Sequence, residues 1–466
     1  MFSVEKGQMN TTVGNVNSRL VKAFLYSSIL WFLLSIIVGF IVSLKLIFPD
    51  FLGNTPFLTF GRLRFVHTNG VIFGWLTTAF FGILMYMVPR LTNRPIYSVK
   101  LGWISFWVWN MGFVLGVIFL LSGYVQGLEY AEFPLVADLF VFGAFILILF
   151  NVLLTILNSE EKQLYVSLWY VIAALVWTSL NYFIGNVFPA YFVPGTAGAA
   201  ISGLYVHNVL GLWHTPLGVG MVYYLLPLLL KKPIYSHSLS LIGFWSLAFF
   251  YPLGGSHHYL FSPIPWWAQI IAVPLSVMMV VVVFTVVFNF FATMKGSWNM
   301  VIESIPLRFL TIGTIFYMIT CTQGPMQALF SLQKVIHFSD WVVGHAHIAL
   351  LGTFSFWMIA AIYYLLPRMS QPQSGTVYSQ TLAEWHFWLT LAGTVIYTSS
   401  LTAAGLVQGY LWLTGTIFMD VIRDSKPFWV TRSFGGALVI IGQIVFIYNL
   451  IHSSLWSRAT GHERRT

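Results

Sequence analysis

Charge is what this chain lacks most: Asp, Glu, Lys and Arg together make up 8% of its 466 residues, against 58% hydrophobic and 18% aromatic residues. A soluble domain keeps its charged residues at the surface, and so few cannot cover one. Cysteine is nearly absent too. Cys321 stands alone, which excludes a disulfide framework, an iron–sulfur cluster and a CxxCH site for attaching c-type heme, so any covalently held heme has to come from a partner. Acids are fewer than bases, 13 against 22. The basic excess gathers in no patch of the kind nucleic acid needs, and no nucleic-acid partner is expected. Convincing internal repeats and low-complexity linkers are missing as well.

What the chain has in abundance is long apolar runs. Stretches of about 20 residues, the length an α-helix needs to cross a bilayer core of roughly 30 Å, recur from Phe24 almost to the C-terminus. Twelve spans are expected, near 23–45, 65–88, 101–122, 134–156, 166–187, 201–227, 236–258, 266–293, 305–329, 340–366, 384–409 and 432–455. The economical fold is all-α and polytopic, a single integral-membrane domain over 1–466, because backbone polar groups in lipid must be satisfied within each helix. A leader over 1–22 and a tail over 456–466 flank it; the first run lacks an A-x-A cleavage site and reads as a retained helix.

The basic residues sort by loop. Lys6, Arg19 and Lys22 precede the first span, Arg90, Arg94 and Lys100 follow the second, Lys231 and Lys232 follow the sixth, and Arg458, Arg464 and Arg465 end the chain. The positive-inside rule then puts both termini in the cytoplasm, although Arg62, Arg64, Lys334, Arg423, Lys426 and Arg432 on the other side weaken the contrast.

Ionisable groups within membrane spans are costly and mark function. Six of the 12 histidines fall in such places: His67, His207, His257, His258, His345 and His347. With the N-terminus inside, spans two, six and ten run inward, and His67, His207, His345 and His347 lie near their starts; span seven runs outward and carries His257 and His258 near its end. All six meet at one depth, in the outer half of the bilayer. Successive helical residues turn by about 100°, so the adjacent His257 and His258 can bend toward one metal ion, whereas His345 and His347 point roughly 200° apart, toward two different groups. A dry bundle without thiolates limits the metal to those that suit neutral imidazole: copper, iron or zinc. Of the other histidines, His237 and His386 read as interfacial and His452 and His462 as tail residues.

The motifs "GRLRFVHTNG" around His67, "HNVLGLW" at His207, "YPLGGSHH" from Tyr251 and "HFSDWVVGHAH" ending at His347 together resemble the heme–copper oxidase superfamily, and within it the catalytic subunit of the C-family, cbb3-type cytochrome c oxidases. The resemblance covers nearly the whole chain. It implies that His67 and His347 hold a low-spin heme b, that His345 is the proximal ligand of a high-spin heme b3, and that His207, His257 and His258 bind copper B. Tyr251 would be the redox-active tyrosine, covalently joined to His207. Tyr251 and His258, seven residues apart, would share one helix face, unless Pro252 and the Gly254–Gly255 pair distort the turn.

Further roles follow from the same resemblance. Arg62 and Arg64, with His337, Asp340 and Trp341, would pair with heme propionates; Glu129, with Glu132 beside it in "LEYAEF", would bind calcium; and Ser240, Thr314 and Tyr317 would seed a single proton path. Activity would be the reduction of O2 to water, coupled to proton uptake and pumping, with electrons from membrane-anchored c-type cytochrome subunits, in the bacterial inner membrane with the metal site toward the periplasm.

Three positions depart from the subfamily pattern: Gln323 in place of a glutamate, Gly243 in place of a histidine, and an added imidazole at His214. Two rival readings stand beside the oxidase. A nitric oxide reductase shares the six histidines but carries a glutamate where this chain has Gly211, and lacks the tyrosine at 251. A twelve-helix transporter with histidine proton relays would instead require pseudo-symmetric halves with broken midplane helices.

Overall fold

The structure is a computed structural model that describes residues 15–53, 55–161, 163–370 and 378–463, with backbone alone at 370 and 452–463. Among the described residues there is no β-strand. Eleven helices among the described residues are long and apolar enough to cross a membrane: α1 (Ser18–Ile47), α2 (Phe60–Leu91), α3 (Val99–Ser122), α4 (Leu135–Leu157), α5 (Val166–Phe192), α6 (Gly195–Leu230), α8 (Trp266–Met294), α9 (Ile305–Gln327), α10 (Asp340–Met369), α11 (Gln380–Leu413) and α12 (Phe418–Ile451). The expected seventh span is present as the shorter α7 (His237–Phe250).

That difference has a local cause. Pro252 cannot donate an N–H to continue the ladder, so regular helix stops at Phe250 and the chain turns into a 3₁₀ segment, Gly254–Tyr259. Glycine is required there because the segment runs against α6. A Cβ on Gly255 would lie 2.8 Å from the Leu204 Cα and 3.0 Å from the His207 Cβ. Tyr251 and His258 therefore do not share a helix face. At the other end, helix continues through Glu463, so the expected tail from 456 is helical to that point. Lys6, Arg464 and Arg465 lie outside the described residues, as do the side chains of His452, Arg458 and His462.

An internal repeat that the sequence did not disclose is visible in the hydrogen bonds. Ser98, Ser236 and Ser379 each cap the N-terminus of an odd-numbered helix, α3, α7 and α11, accepting from the backbone N–H three residues on. Each is held by an asparagine of the next helix. Asn151, Asn289 and Asn449 accept from the serine N–H at 2.9 Å, and their amides donate back to the serine carbonyl. The helices thus form three consecutive four-helix units, each closed by the same Ser–Asn clasp.

The second helix of each unit sits at the centre. In α2, α6 and α10 the most apolar stretch is 94%, 89% and 83% buried, against 67% or less in the other spans. All three leave α geometry in the same way, through π-helical segments at Gly70–Thr77, Leu210–His214 and Ile348–Ser355. Carbonyls freed by the wider turn accept from hydroxyls five residues on, Thr77 to Ile72, Thr78 to Phe73, Thr353 to Ile348 and Ser355 to Leu350. The bulged segments are also stitched to one another, by Trp75 Nε1 to Ser355 Oγ and Trp213 Nε1 to Thr77 Oγ1, both at 2.9 Å. π-turns of this kind concentrate at functional sites, and each of these begins within three residues of a histidine singled out above.

Candidate functional site

Three imidazoles converge first. His207 comes from α6, and His257 and His258 from the 3₁₀ segment after α7; their ligand atoms all lie within 4.8 Å of one another. Each ring has a reason to point where it does. The His207 Nε2 is 2.9 Å from the Tyr251 carbonyl, and the His257 Nδ1 is 2.7 Å from Ser276 Oγ, whose own proton goes to the Ala272 carbonyl. In both rings one nitrogen is a donor to the protein and the other keeps its lone pair for a metal. His337, on the loop before α10, bonds the main chain of His258 and so braces the turn; burial lowers the pKa of that imidazole below its ordinary value.

A second pair faces itself across a cleft. The rings of His67 and His347 have centroids 6.0 Å apart and planes within 17°. Two imidazoles on opposite sides of one metal, with metal–nitrogen bonds of about 2 Å, need nearly that separation. Both Nδ1 atoms are 2.8 Å from main-chain carbonyls, Ser35 for His67 and Val343 for His347, which leaves Nε2 toward the cleft. The Tyr397 hydroxyl lies 3.3 Å from the His347 Nε2. Gly39 and Gly436 line the cleft from α1 and α12. A side chain at Gly39 would strike the His67 ring.

His345 turns the other way on α10. Its Nδ1 is 3.3 Å from the Gln323 Oε1, and its electrostatic neighbour is His258 rather than His67. The opposed directions expected of residues two apart on a helix are therefore seen.

Tyr251 caps α7 and lays its ring on His207, with centroids 3.9 Å apart and planes within 19°. The space it fills exists only because residue 211 is glycine: a Cβ there would fall inside the tyrosine ring. Gly211 and Tyr251 are thus one feature, and a glutamate at 211 is sterically incompatible with this placement of the ring.

Other expected residues are only partly gathered. Arg62 donates to the Leu121 carbonyl at 2.9 Å, and Arg64 pairs with Glu129 at 3.3 Å on the exposed surface. Asp340 is committed to Gln408 Nε2 at 2.8 Å and Trp429 Nε1 at 2.7 Å, but the buried Trp341 Nε1 has no partner among the described residues. Glu132 is buried, accepts from Asn69 Nδ2 at 2.8 Å, and is pushed up to about 7 by desolvation. Ser240, Thr314 and Tyr317 are all buried; Ser240 donates to the His237 carbonyl, Thr314 to the Leu310 carbonyl, and Tyr317 bonds the Cys321 thiol.

His386 corrects an expectation. It is not interfacial but fully buried, between Phe309 and Phe446, with the Tyr363 hydroxyl 3.0 Å from its Nδ1. His214 is also fully buried, with both ring nitrogens near main-chain carbonyls, Val209 just before its own bulged segment at 3.1 Å and Ile72 within that of α2 at 3.3 Å. Sequence reasoning missed Arg432. Read there only as a loop charge, it is buried, lies 5.9 Å over the Tyr397 ring beside the His67–His347 cleft, and has an Nε without a partner among the described residues. Its closeness in sequence to Trp429, inside an apolar run, was the available signal.

Comparison with known proteins decides what kind of protein carries this arrangement. The family described as "Cytochrome C and Quinol oxidase polypeptide I" matches residues 19–438. The chain belongs to this oxidase family. Relatives similar to this oxidase include the cytochrome c oxidase subunit 1 homolog of Agrobacterium tumefaciens, 30% identical over 95% of this chain and 84% of the relative. The cbb3-type cytochrome c oxidase subunit CcoN1 of Stutzerimonas stutzeri is also 30% identical, over 95% and 96%. A nitric oxide reductase chain of Stutzerimonas stutzeri is more distant, at 23% over 92% and 93%. In fold, the oxidase is similar to a heme–copper terminal oxidase dimer, with a TM-score of 0.73 at 14% identity, over 94% of this chain and 84% of the other. Membership of a heme–copper family implies hemes and a copper ion. The donor set fits them: an imidazole trio with free lone pairs, a facing pair, and two unpartnered donors, Trp341 Nε1 and Arg432 Nε, suited to anionic propionates.

Proposed function

We propose that this chain is the catalytic subunit of a cbb3-type cytochrome c oxidase, reducing O2 to water. The observation that carries this over nitric oxide reduction is the Tyr251 ring seated on His207 in the space left by Gly211. Four-electron reduction needs a phenol at the metal site, and this chain has built room for one at the expense of any acidic ligand at 211. Among the described residues the helices fall into three four-helix units, each closed by a Ser–Asn clasp, and not into two halves, which disfavours the transporter.

In this reading the whole of 1–466 is one membrane domain. His67 and His347 would hold a low-spin heme b, His345 a high-spin heme b3, and His207, His257 and His258 copper B. When bound, these groups supply electrons and the place where dioxygen is held. The protein's own part is to fix the tautomers through Ser35, Val343, Ser276 and the Tyr251 carbonyl, to keep water out, and to hold a proton on the Tyr251 hydroxyl for delivery. Trp341 and Arg432, with His337, Arg62 and Arg64 at longer reach, would receive propionates, and Glu129 with Glu132 would bind calcium. Ser240, Thr314 and Tyr317 belong to the proton path. Electrons would come from membrane-anchored c-type cytochromes on the face opposite the termini, which the positive-inside rule makes periplasmic.

A reduced-minus-oxidised optical spectrum of the purified protein, repeated under carbon monoxide and paired with metal analysis, tests the reading. Two b-type hemes, one of them gas-binding, and one copper are expected. A third iron in place of copper would move the assignment to nitric oxide reduction.

Gln323 gives a second test. A neutral amide accepts from the His345 Nδ1 where relatives of this type were expected to have a carboxylate. Gln323→Glu adds negative charge there, makes the imidazole a stronger donor and favours the oxidised metal. The midpoint potential of the gas-binding heme should fall, by about 59 mV for each tenfold change in relative stability of its two oxidation states, in a spectroelectrochemical titration that leaves the other heme in place. An unchanged or higher potential would mean that Gln323 does not govern this ligand.

A further inference from the structure

His214 ends the π-helical segment of α6 and is fully buried, with Phe80 of α2 and Phe354 of α10 against its ring, centroids 6.1 and 5.8 Å away. Both of its nitrogens face acceptors. Nδ1 is 3.1 Å from the Val209 carbonyl, and Nε2 is 3.3 Å from the Ile72 carbonyl of α2. A carbonyl oxygen can only accept, and a neutral imidazole has one N–H and one lone pair. Whichever tautomer forms, one contact therefore sets a lone pair against an oxygen at hydrogen-bond distance. Only the imidazolium ion, a donor at both nitrogens, satisfies both carbonyls.

The other two bulges show which nitrogen holds the resting proton. In each of them a hydroxyl donates to the carbonyl five residues earlier, Thr77 to Ile72 and Ser355 to Leu350 among them. His214 stands in the same relation to Val209, so Nδ1 is the donor and the Nε2 lone pair is the one that faces Ile72. A second proton belongs there. Burial opposes it, because an uncompensated cation in an apolar interior is costly, and no carboxylate among the described residues touches the ring. The nearest titratable groups along the elements packed round it are His67 and Tyr86 on α2, Tyr182 on α5, His207 on α6 and His347 on α10. None of them bonds it.

Compensation has one source nearby. His67, His207 and His347 precede Ile72, His214 and Phe354 by five, seven and seven residues. The ring thus sits one to two turns, roughly 7–11 Å along the helices, to the inner side of the expected ligands on all three central helices. An electron entering the groups those ligands would hold brings negative charge within that range, where a low dielectric leaves it weakly screened.

We propose that His214 is a redox-linked proton site, whose Nε2 takes up a proton as an electron enters the metal groups and releases it as the electron leaves. One N–H bond forms and later breaks. The proton comes from water and returns to it, the electron comes from the donor cytochromes, and the imidazole is neither oxidised nor reduced. The site rests on the oxidase reading and goes beyond it, tying the charge of the metal groups to a proton held inside the protein.

The test uses the complete oxidase with its electron-donating subunits, as wild type, His214→Leu and His214→Gln; the amide keeps a hydrogen-bond donor but cannot titrate. Heme spectra and carbon monoxide binding should match wild type in both, since His214 ligates nothing. Midpoint potentials of the two hemes are then measured by spectroelectrochemistry from about pH 6 to 9. A proton taken up with each electron adds up to about 59 mV per pH unit to the slope of potential against pH, the tenfold limit, and both variants should show a flatter slope than wild type. Infrared difference spectra with isotope-labelled histidine should show an imidazolium band on reduction in wild type and lack it in both variants. A wild-type slope in His214→Gln would reduce the residue to a hydrogen-bonding role and overturn the site, and so would a reduced wild type without the band. Should the variants lose their hemes, the wild-type infrared spectrum decides in the same sense. A wild-type complex that carries its hemes but consumes no oxygen would overturn the oxidase reading instead, and the potentials would still decide the site.

Discussion

Alanine at His347 is expected to abolish one heme band and spare the other, and alanine two residues earlier, at His345, to do the reverse. The reason is angular. The two side chains leave α10 about 200° apart: His347 faces His67 across 6.0 Å, and His345 faces Gln323 and the His207–His257–His258 trio. His347→Ala should therefore leave carbon monoxide binding in place and remove the low-spin signal, and His345→Ala should remove the gas-binding heme. Each should cut oxygen consumption by about 10³-fold or more, as happens when one member of a concerted site is lost. Reduced and gas-treated spectra of both variants decide the matter; loss of the same band from both would show that the two imidazoles serve one group.

Gly211→Ala should be nearly as damaging, although alanine is the smallest change available and residue 211 is no ligand. Its Cβ would lie within the Tyr251 ring, and the ring is confined on its far side by His207 at 3.9 Å. The tyrosine has to leave. Overpacking of this kind costs about 1–3 kcal/mol, which a thermal melt would register. Activity should fall about 10²-fold, the scale of a misplaced proton donor, matching Tyr251→Phe. Adding Tyr251→Ala to Gly211→Ala should restore the melting temperature but not the activity. A Gly211→Ala oxidase with wild-type turnover would show that the phenol is not needed where the structure puts it.

Much of the site was legible in one dimension because membrane helices are long and regular. Apolar run lengths predicted twelve crossings, direction alternates with each crossing, and so the position of a histidine within its run translates into depth. That alone brought His67, His207, His257, His258, His345 and His347 to one layer, and the structure joins them as a trio, a pair and a single ring. The 100° turn per residue likewise separated His345 from His347.

Where the backbone leaves α geometry, that translation stops. Pro252 ends α7 before the His-His pair, so Tyr251 reaches His207 from a helix cap and not along a shared face. The three π-helical segments carry no sequence signature of their own; they exist because threonine, serine and tryptophan side chains from neighbouring helices satisfy the carbonyls that a wider turn exposes. The four-helix repeat escaped notice because its signal is a single Ser–Asn clasp spread over 53 to 70 residues.

By itself the sequence determined that the chain is a helical membrane protein and which histidines face apart, since composition, run length and helical period are properties of the chain taken alone. Only tertiary structure decided that His386 is core rather than interface, that Arg432 borders the His67–His347 cleft, and that Gly211 makes room for a ring forty residues away. Each of these depends on which atom of another helix fills a given volume, and no periodicity along one helix carries that information.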